Sequence, residues 1–329
     1  MRILNAADVR RALPMSEAIE AMKGAFAALS DGKADVPGRI HLNVQKHDGV
    51  TLVMPALVDD SQGLALAVKV VSLFDHNASR GLARIQAAVL ALEPDTGRLA
   101  AVVEGATLTA IRTGAASGAA TDLLARADSH TVAIFGAGVQ ARTQLEAVCS
   151  IRSIRRAWVF DPEPESTRRL IADVAGQGPI PADVRAAVSP QEAVAQADIV
   201  CTASTSTTPV FRDADLKPGV HINAVGSFQP HVQEIPPETV VRSFLVVDSR
   251  EAALEETGDL IQPIRAGLIG ADHIRAELGE LVLGRRTGRE SAEQTTFFKA
   301  VGVAVQDAVA VRLALENAQR FGLGQVVAW

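Results

Sequence analysis

The chain of 329 residues contains no tyrosine and only two cysteines. Without tyrosine there is no phenol for acid–base work, so any proton transfer falls to other side chains. Cys149 and Cys201 are too few for a disulfide framework or a cysteine metal site, and they are expected to pack as small apolar residues in a reducing cytoplasm. His41, His47, His76 and His231 lack metal-ligand spacing, so no metal is expected. There is no block of basic residues, and the net charge is −6, which argues against a nucleic-acid partner. No uninterrupted apolar run reaches the ~18 residues of a membrane span. The first residues, Met1-Arg-Ile-Leu-Asn-Ala-Ala-Asp8, lack a signal-peptide core.

What is present suits a folded globular protein: apolar residues make up 48% and charged residues 21%. The length allows roughly two domains. Residues 14–31 carry Ile19, Met22, Phe26 and Leu29 on one helical face. Ile40, Leu42 and Val44 alternate with polar neighbours, as in a half-buried strand. Val50–Met54 and Leu64–Val71 read as more buried strands, and Asp95-Thr96-Gly97 turns Ile85–Leu92 back onto Leu99–Val103. Ala106–Leu124 is alanine-rich and helical. From residue 130 strands alternate with helices, the rhythm of a parallel sheet. The expected strands are 131–135, 157–160, 184–188, 198–202, 220–225 and 244–247. Gln294–Arg320 reads as one long closing helix, with Val301, Val305 and Val309 on a stripe.

The densest signal runs from Val132 to Asp161. A short apolar strand leads into Gly136-Ala-Gly138-Val-Gln-Ala141, a helix follows, and the next strand ends on Asp161. Glycines let the chain turn tightly and approach a ligand. The helix N-terminus suits a pyrophosphate, and an acid roughly 20 residues on can hold a ribose hydroxyl. This order predicts dinucleotide binding. Two further small, polar segments, Thr202-Ala-Ser-Thr-Ser-Thr207 and Asn223-Ala-Val-Gly226-Ser227, follow presumed parallel strands, where ligands bind in such sheets. Elsewhere, Lys69 interrupts the apolar run Leu64-Ala-Leu-Ala-Val-Lys69-Val-Val71. It is either an anion-binding or catalytic lysine or an edge-strand lysine reaching solvent. Arg112 lies in an otherwise small and apolar helix, where its fork suits a carboxylate or phosphate; the alternative is a solvated arginine. Arg39 stands on a polar strand face, the usual place of a surface residue.

These stretches together resemble the ornithine cyclodeaminase/mu-crystallin family. The resemblance rests on Val53-Met-Pro55, Lys69, Arg80-Gly-Leu82, Asp95-Thr-Gly97 and Leu108-Thr-Ala-Ile-Arg-Thr-Gly-Ala-Ala-Ser117. It continues through Gly136–Ala141, Asn223–Gly226, Glu277-Leu-Gly-Glu280 and Phe298-Lys-Ala-Val-Gly-Val-Ala-Val-Gln-Asp307. It implies an α/β chain with a Rossmann-type nicotinamide-binding domain, 126–304, inserted in a discontinuous α+β substrate-binding and dimerisation domain, 1–125 and 305–329. It implies a cytoplasmic homodimer that moves hydride between a nicotinamide and the α-carbon of an amino or imino acid. By resemblance, Arg39, Lys69 and Arg112 clamp the substrate carboxylate, Lys69 serves the α-nitrogen, and Leu52, Met54 and Phe228 line the substrate. Arg112, Thr113, Gly136, Gly138, Val139, Gln140, Asp161, Thr202, Val225, Gly226, Ser227, Val301 and Gly302 are the implied cofactor contacts. Asp161 favours NAD, because a carboxylate repels a 2′-phosphate; Arg168 and Arg169 keep NADP open.

Two departures bear on the substrate. Ornithine cyclodeaminases carry an aspartate where this chain has Phe228 and a glutamate where it has Leu52. Neither replacement can accept a proton or pair with a distal ammonium. The expected reaction is therefore reduction of a small or cyclic imino acid, such as pyrroline-2-carboxylate to proline, or the reverse oxidation of an amino acid such as alanine. Ornithine cyclodeamination and a mu-crystallin-like binding role are the alternatives. Arg84 falls where a small polar residue is frequent in the family.

Overall fold

A computed structural model of the chain describes residues 1–328. The chain divides into two compact units: Met1–Arg112 with the segment from Val303 onward, and Thr113–Gly302.

The first unit begins with β1 (Arg2–Leu4), α1 (Ala6–Ala12) and α2 (Met15–Ser30). Asn5 and Asp8 form a capping box that starts α1. Then come β2 (Ala34–Asp35), β3 (Ile40–Val44), β4 (Gly49–Asp60), β5 (Gly63–Phe74), β6 (Ile85–Leu92) and β7 (Leu99–Glu104). The expected hairpin is β6–β7. The Glu104 carboxylate accepts the amides of Ala106 and Thr107 at 2.8 and 2.9 Å, and so launches α3 (Gly105–Leu124). Arg112 and Thr113 sit on this one helix, so the division between units falls inside it rather than at the expected 125/126.

The second unit alternates strands and helices: β8 (Thr131–Phe135), α4 (Val139–Ile151), β9 (Arg156–Phe160), α5 (Pro164–Val174), β10 (Val184–Ala186), α6 (Pro190–Val194), β11 (Ile199–Thr202) and β12 (His221–Ala224). It continues with α7 (Pro237–Arg242), β13 (Phe244–Val247), α8 (Arg250–Glu256), α9 (Gly258–Arg265), β14 (Ile274–Glu277), α10 (Leu278–Val282) and β15 (Thr296–Lys299). The first unit is completed by α11 (Ala304–Phe321) and β16 (Gln325–Val326). Among the described residues no helix is long and apolar enough to cross a membrane.

The first sheet has the order β16-β1-β7-β6-β5-β4-β2, with β3 on the far part of β4. Side chains opposite one another in antiparallel strands share a face, so Met54, Lys69 and Val89 point the same way. That inner face is covered by α11, which also packs on α2. The outer face is not polar, as one-sided burial would require. It carries Val53, Pro55, Leu57, Leu66, Val68 and Leu90, all half-buried or exposed. Strand β3 departs from expectation: Ile40 is 55% and Leu42 53% exposed. It pairs only with Gly49–Val53, a part of β4 that is itself not buried.

The second sheet is wholly parallel, in the order β10-β9-β8-β11-β12-β15-β13-β14. Val132 and Ile134 of β8 join one apolar cluster, Ala133 and Phe135 another, so the sheet is buried on both faces. Cys149 and Cys201 lie in this unit, both buried. The long closing helix expected from Gln294 is corrected here. Thr296–Lys299 is a central strand between β12 and β13, as β-branched and aromatic residues favour. Gly302, at φ +85°, breaks the chain before α11 begins at Ala304. Val301 therefore does not share a helical stripe with Val305 and Val309. Strand β14 carried no sequence signal strong enough to anticipate.

Candidate active site

In the first unit the isolated cations of the sequence meet one acid. Lys69 is 2% exposed on β5, between β4 and β6, so it is not an edge-strand lysine. Its Nζ lies 2.7 Å from Asp307 Oδ2 on α11. Arg112 is 6% exposed; its Nε donates to Asp307 Oδ1 at 3.2 Å and its Nη1 to Gln306 Oε1 at 2.9 Å. Neither is a solvated surface residue. Burial pushes the Lys69 pKa down to about 8; Asp307 opposes the shift, while the positive charges of Arg112 and Arg39 reinforce it. Arg39, half-buried just before β3, thus acts electrostatically on the same group. Two buried cations share the Asp307 carboxylate, which leaves one positive charge over between the three. Such a cluster suits a ligand carboxylate. Met54 stands opposite Lys69 and Leu52 opposite Val71 on the same inner face, so the surroundings of Lys69 are apolar.

In the second unit the strand order reverses between β8 and β11, the place where open α/β sheets bind ligands. Gly136 follows β8 with φ +98°, and a Cβ there would stand 2.6 Å from the Ala203 carbonyl oxygen. Only glycine fits. Gly138 opens α4 with no side chain capping its amides, which leaves that helix end free for an anion. Val139 is 71% exposed beside it, and Gln140 is half-buried. Asp161 Oδ2 accepts the Ala137 amide at 2.9 Å and Oδ1 the Glu163 amide at 2.8 Å, so the acid is locked to the glycine turn. Gly136, Ala137, Gly138, Asp161 and Glu163 line a cleft of about 710 Å³ with Ser204 and Ser206, large enough for much of a dinucleotide. Arg168, exposed on α5, pairs with Glu165 at 2.7 Å. These features fit a dinucleotide with an unphosphorylated ribose.

The remaining expected cofactor residues are held from behind. The Thr202 hydroxyl does not face the cleft: it is buried and donates to Glu234 Oε2 at 3.0 Å. Ser227 is also buried, its hydroxyl bonded to the Val232 carbonyl and 2.9 Å from Thr257 Oγ1. Gly226 donates its amide to Glu234 Oε2 at 2.8 Å, and the Val225 amide bonds the Thr202 carbonyl. Val301 and Gly302 both donate amides to Asp248 Oδ2, at 2.9 and 2.7 Å. Thr113 is half-buried, and its carbonyl accepts from Gln144 at 3.4 Å. Phe228, at the loop beyond β12, is 39% exposed. Arg84 is exposed and paired with Asp75 at 2.6 Å.

Sequence reasoning missed Gln306, Asp307, Glu234, Asp248, Asp259 and Lys299. The first two had a signal: Gln306-Asp307 interrupts Ala304-Val and Ala308-Val-Ala-Val. Glu234 stands among prolines and carried none.

The sequence matches the Ornithine cyclodeaminase/mu-crystallin family over residues 1–321. A Delta(1)-pyrroline-2-carboxylate reductase of Bacillus cereus is 38% identical over 326 residues, 99% of either chain. The solved structure of Thermococcus litoralis Delta(1)-pyrroline-2-carboxylate reductase in complex with NADH and L-proline superposes with a TM-score of 0.94 at 43% identity, covering 99% of this chain and 100% of that one. An archaeal alanine dehydrogenase dimer with bound NAD superposes at 0.91 and 29% identity, covering 100% and 99%. From residues 1 to 321, through glycine turn, buried lysine and closing helix alike, the chain belongs to the ornithine cyclodeaminase/mu-crystallin family.

Proposed function

We propose that this chain is an NAD-dependent oxidoreductase that reduces a small or cyclic α-imino acid, with pyrroline-2-carboxylate to L-proline as the favoured reaction. The observation that carries the reading is the buried Lys69–Asp307–Arg112 cluster, set in apolar surroundings with one positive charge over. The relatives that reduce pyrroline-2-carboxylate, and the one solved with NADH and L-proline, support it.

The substrate carboxylate docks on Lys69 and Arg112, with Arg39 adding charge. Asp307 keeps Lys69 protonated below about pH 8, so the lysine can hold a proton at the substrate nitrogen. The dinucleotide, on Gly136, Gly138, Val139, Gln140 and Asp161, supplies the hydride. Thr113, Thr202, Val225, Gly226, Ser227, Val301 and Gly302 shape its nicotinamide end through backbone and packing. Leu52, Met54 and Phe228 offer no carboxylate to a distal amine, which favours proline over ornithine. Asp161, with Arg168 already paired to Glu165, favours NAD over NADP. Alanine, with pyruvate and ammonia, is the second candidate, supported by the archaeal neighbour.

The working form is a cytoplasmic homodimer. The apolar outer face of the first sheet supports association with a second copy, because a solvated face would carry polar residues. The reaction is tested by nicotinamide absorbance with pyrroline-2-carboxylate, with pyruvate plus ammonia, and with ornithine. Oxidation of NADH by the cyclic imine is expected. Conversion of ornithine to proline with no net change in cofactor would refute the reading.

A further inference from the structure

Three separate loops, after β11, β12 and β15, lead off the carboxyl ends of adjacent strands. Buried acids hold all three. Glu234, with no exposed surface, accepts five donors. Oε1 takes the Ser204 amide at 2.8 Å and its hydroxyl at 2.7 Å. Oε2 takes the Thr202 hydroxyl at 3.0 Å and the amides of Gly226 and Ser227 at 2.8 and 3.2 Å. The Glu234 amide is in turn fixed at 2.7 Å to Asp259 Oδ1, and Asp259 Oδ2 lies 3.0 Å from Lys299 Nζ. Lys299 also acts electrostatically on Asp248, which holds Val301 and Gly302. Fit at Glu234 is close: a Cβ on Gly226 would stand 2.4 Å from the Ser204 carbonyl oxygen and 2.5 Å from either Glu234 oxygen.

Buried charge is a poor way to gain stability, since apolar packing does as well at lower desolvation cost. What the acids supply is direction. In a planar trans peptide the N–H and the preceding C=O point opposite ways. Amides of Ser204, Gly226 and Ser227 turned toward Glu234 therefore turn the carbonyls of Ala203, Val225 and Gly226 away from it. The same holds for Ala300 and Val301 opposite Asp248. We propose that Glu234 is a positioning residue for the nicotinamide end of the dinucleotide: it orients the loops after β11 and β12, while Asp259, Lys299 and Asp248 brace it and the loop after β15. The inference rests on the dinucleotide reading of the second unit but not on the identity of the imino acid.

NADH and ADP-ribose separate this role from general stability, because ADP-ribose lacks the nicotinamide. Their dissociation constants are measured by fluorescence titration and displacement on the full chain, with thermal unfolding alongside. Glu234→Gln keeps the volume but sets amide hydrogens against donors. It is expected to weaken NADH at least tenfold and ADP-ribose by a clearly smaller factor, because of the loops Glu234 holds only the one at Ser204 borders the Asp161 cleft. Thr202→Val, of nearly the same volume, removes one of the five donors and is expected to weaken NADH by about threefold and ADP-ribose by less, with thermal unfolding reporting whether the fold is kept. Equal weakening of both ligands, or of neither, in these two variants overturns the assignment. If the unaltered chain binds neither ligand, the dinucleotide reading itself fails and the inference with it.

Discussion

Asp307→Asn is the sharpest perturbation of the charge cluster. Asp307 Oδ2 is 2.7 Å from the Lys69 ammonium and Oδ1 3.2 Å from Arg112 Nε, with all three side chains nearly devoid of exposed surface. At an effective dielectric near 20, unit charges at the Lys69 separation attract by about 6 kcal/mol. Removing one partner of a buried pair costs about 3–5 kcal/mol, because the other charge is left without compensation. For a unit of this size that is a fall of roughly 6–20 °C in unfolding temperature. The loss depends on pH in a defined direction. Lys69 titrates near 8 in the folded chain and at 10.5 as an ordinary lysine. Without Asp307 its folded pKa falls further. Between that lower value and about 8 the variant has already shed the proton that the parent retains. The deficit is therefore largest at acid pH and narrows up to about pH 8, above which the two run in parallel. Thermal unfolding at pH 6 and pH 9 measures this, and the alkaline limb of kcat/KM for pyrroline-2-carboxylate shifts to lower pH in step. A deficit equal at both pH values, with the limb unmoved near pH 8, would refute the account of Lys69 as a lysine kept charged by Asp307.

Asp161→Ala removes a charged ribose acceptor; NADH affinity measured by titration falls about tenfold, roughly 1.4 kcal/mol, and the preference over NADPH narrows. An unchanged NADH to NADPH ratio would clear Asp161 of that role. Gly136→Ala must place a side chain at φ +98° and within 2.6 Å of the Ala203 oxygen, so calorimetry should read a loss of about 1–3 kcal/mol and NADH binding should largely vanish. His221, fully buried, has its pKa pushed down to about 3, chiefly by burial, with Arg289 and Arg152 adding to it. The unfolded chain binds its proton from about pH 6.5 downward and the folded chain does not, so stability falls on acidification through that window. His221→Gln is expected to flatten the acid limb by up to about 1.4 kcal/mol per pH unit, and identical limbs would count against it.

Local chemistry was legible in the sequence, and long-range pairing was not. The run from Val132 to Asp161 could be read because turn, helix end and acid all follow one strand order within about thirty residues. Lys69 and Arg112 stood out as charges in apolar company, but their shared acid lies 195 residues beyond Arg112. Periodicity carries no information at that separation. At β15 it misled outright, because valines at 301, 305 and 309 mimic a helical stripe across a strand end and a glycine break. Thr202 and Ser227 were singled out as small polar residues after strands. The structure turns their hydroxyls inward, so the residue types were informative and their partners were not. Glu234, in Gln233-Glu-Ile-Pro-Pro237, follows neither a two-residue nor a 3.6-residue period, and only the folded chain reveals its five donors.

The distance along the chain between Arg112 and Asp307 also has a meaning in time. At ~5–20 residues per second, a ribosome needs on the order of 10–40 s to make the intervening 195 residues. Through that interval Lys69 on the nascent sheet and Arg112 on α3 have their acid still unsynthesised, and the inner face that α11 will cover lies open. The second unit is one contiguous segment, and all of it precedes α11. It can therefore complete its core while the first is still waiting. A chain halted before Ala304 would carry a finished dinucleotide unit and a first unit with two uncompensated cations and an uncovered apolar sheet face, a species prone to aggregate and exposed to proteolysis.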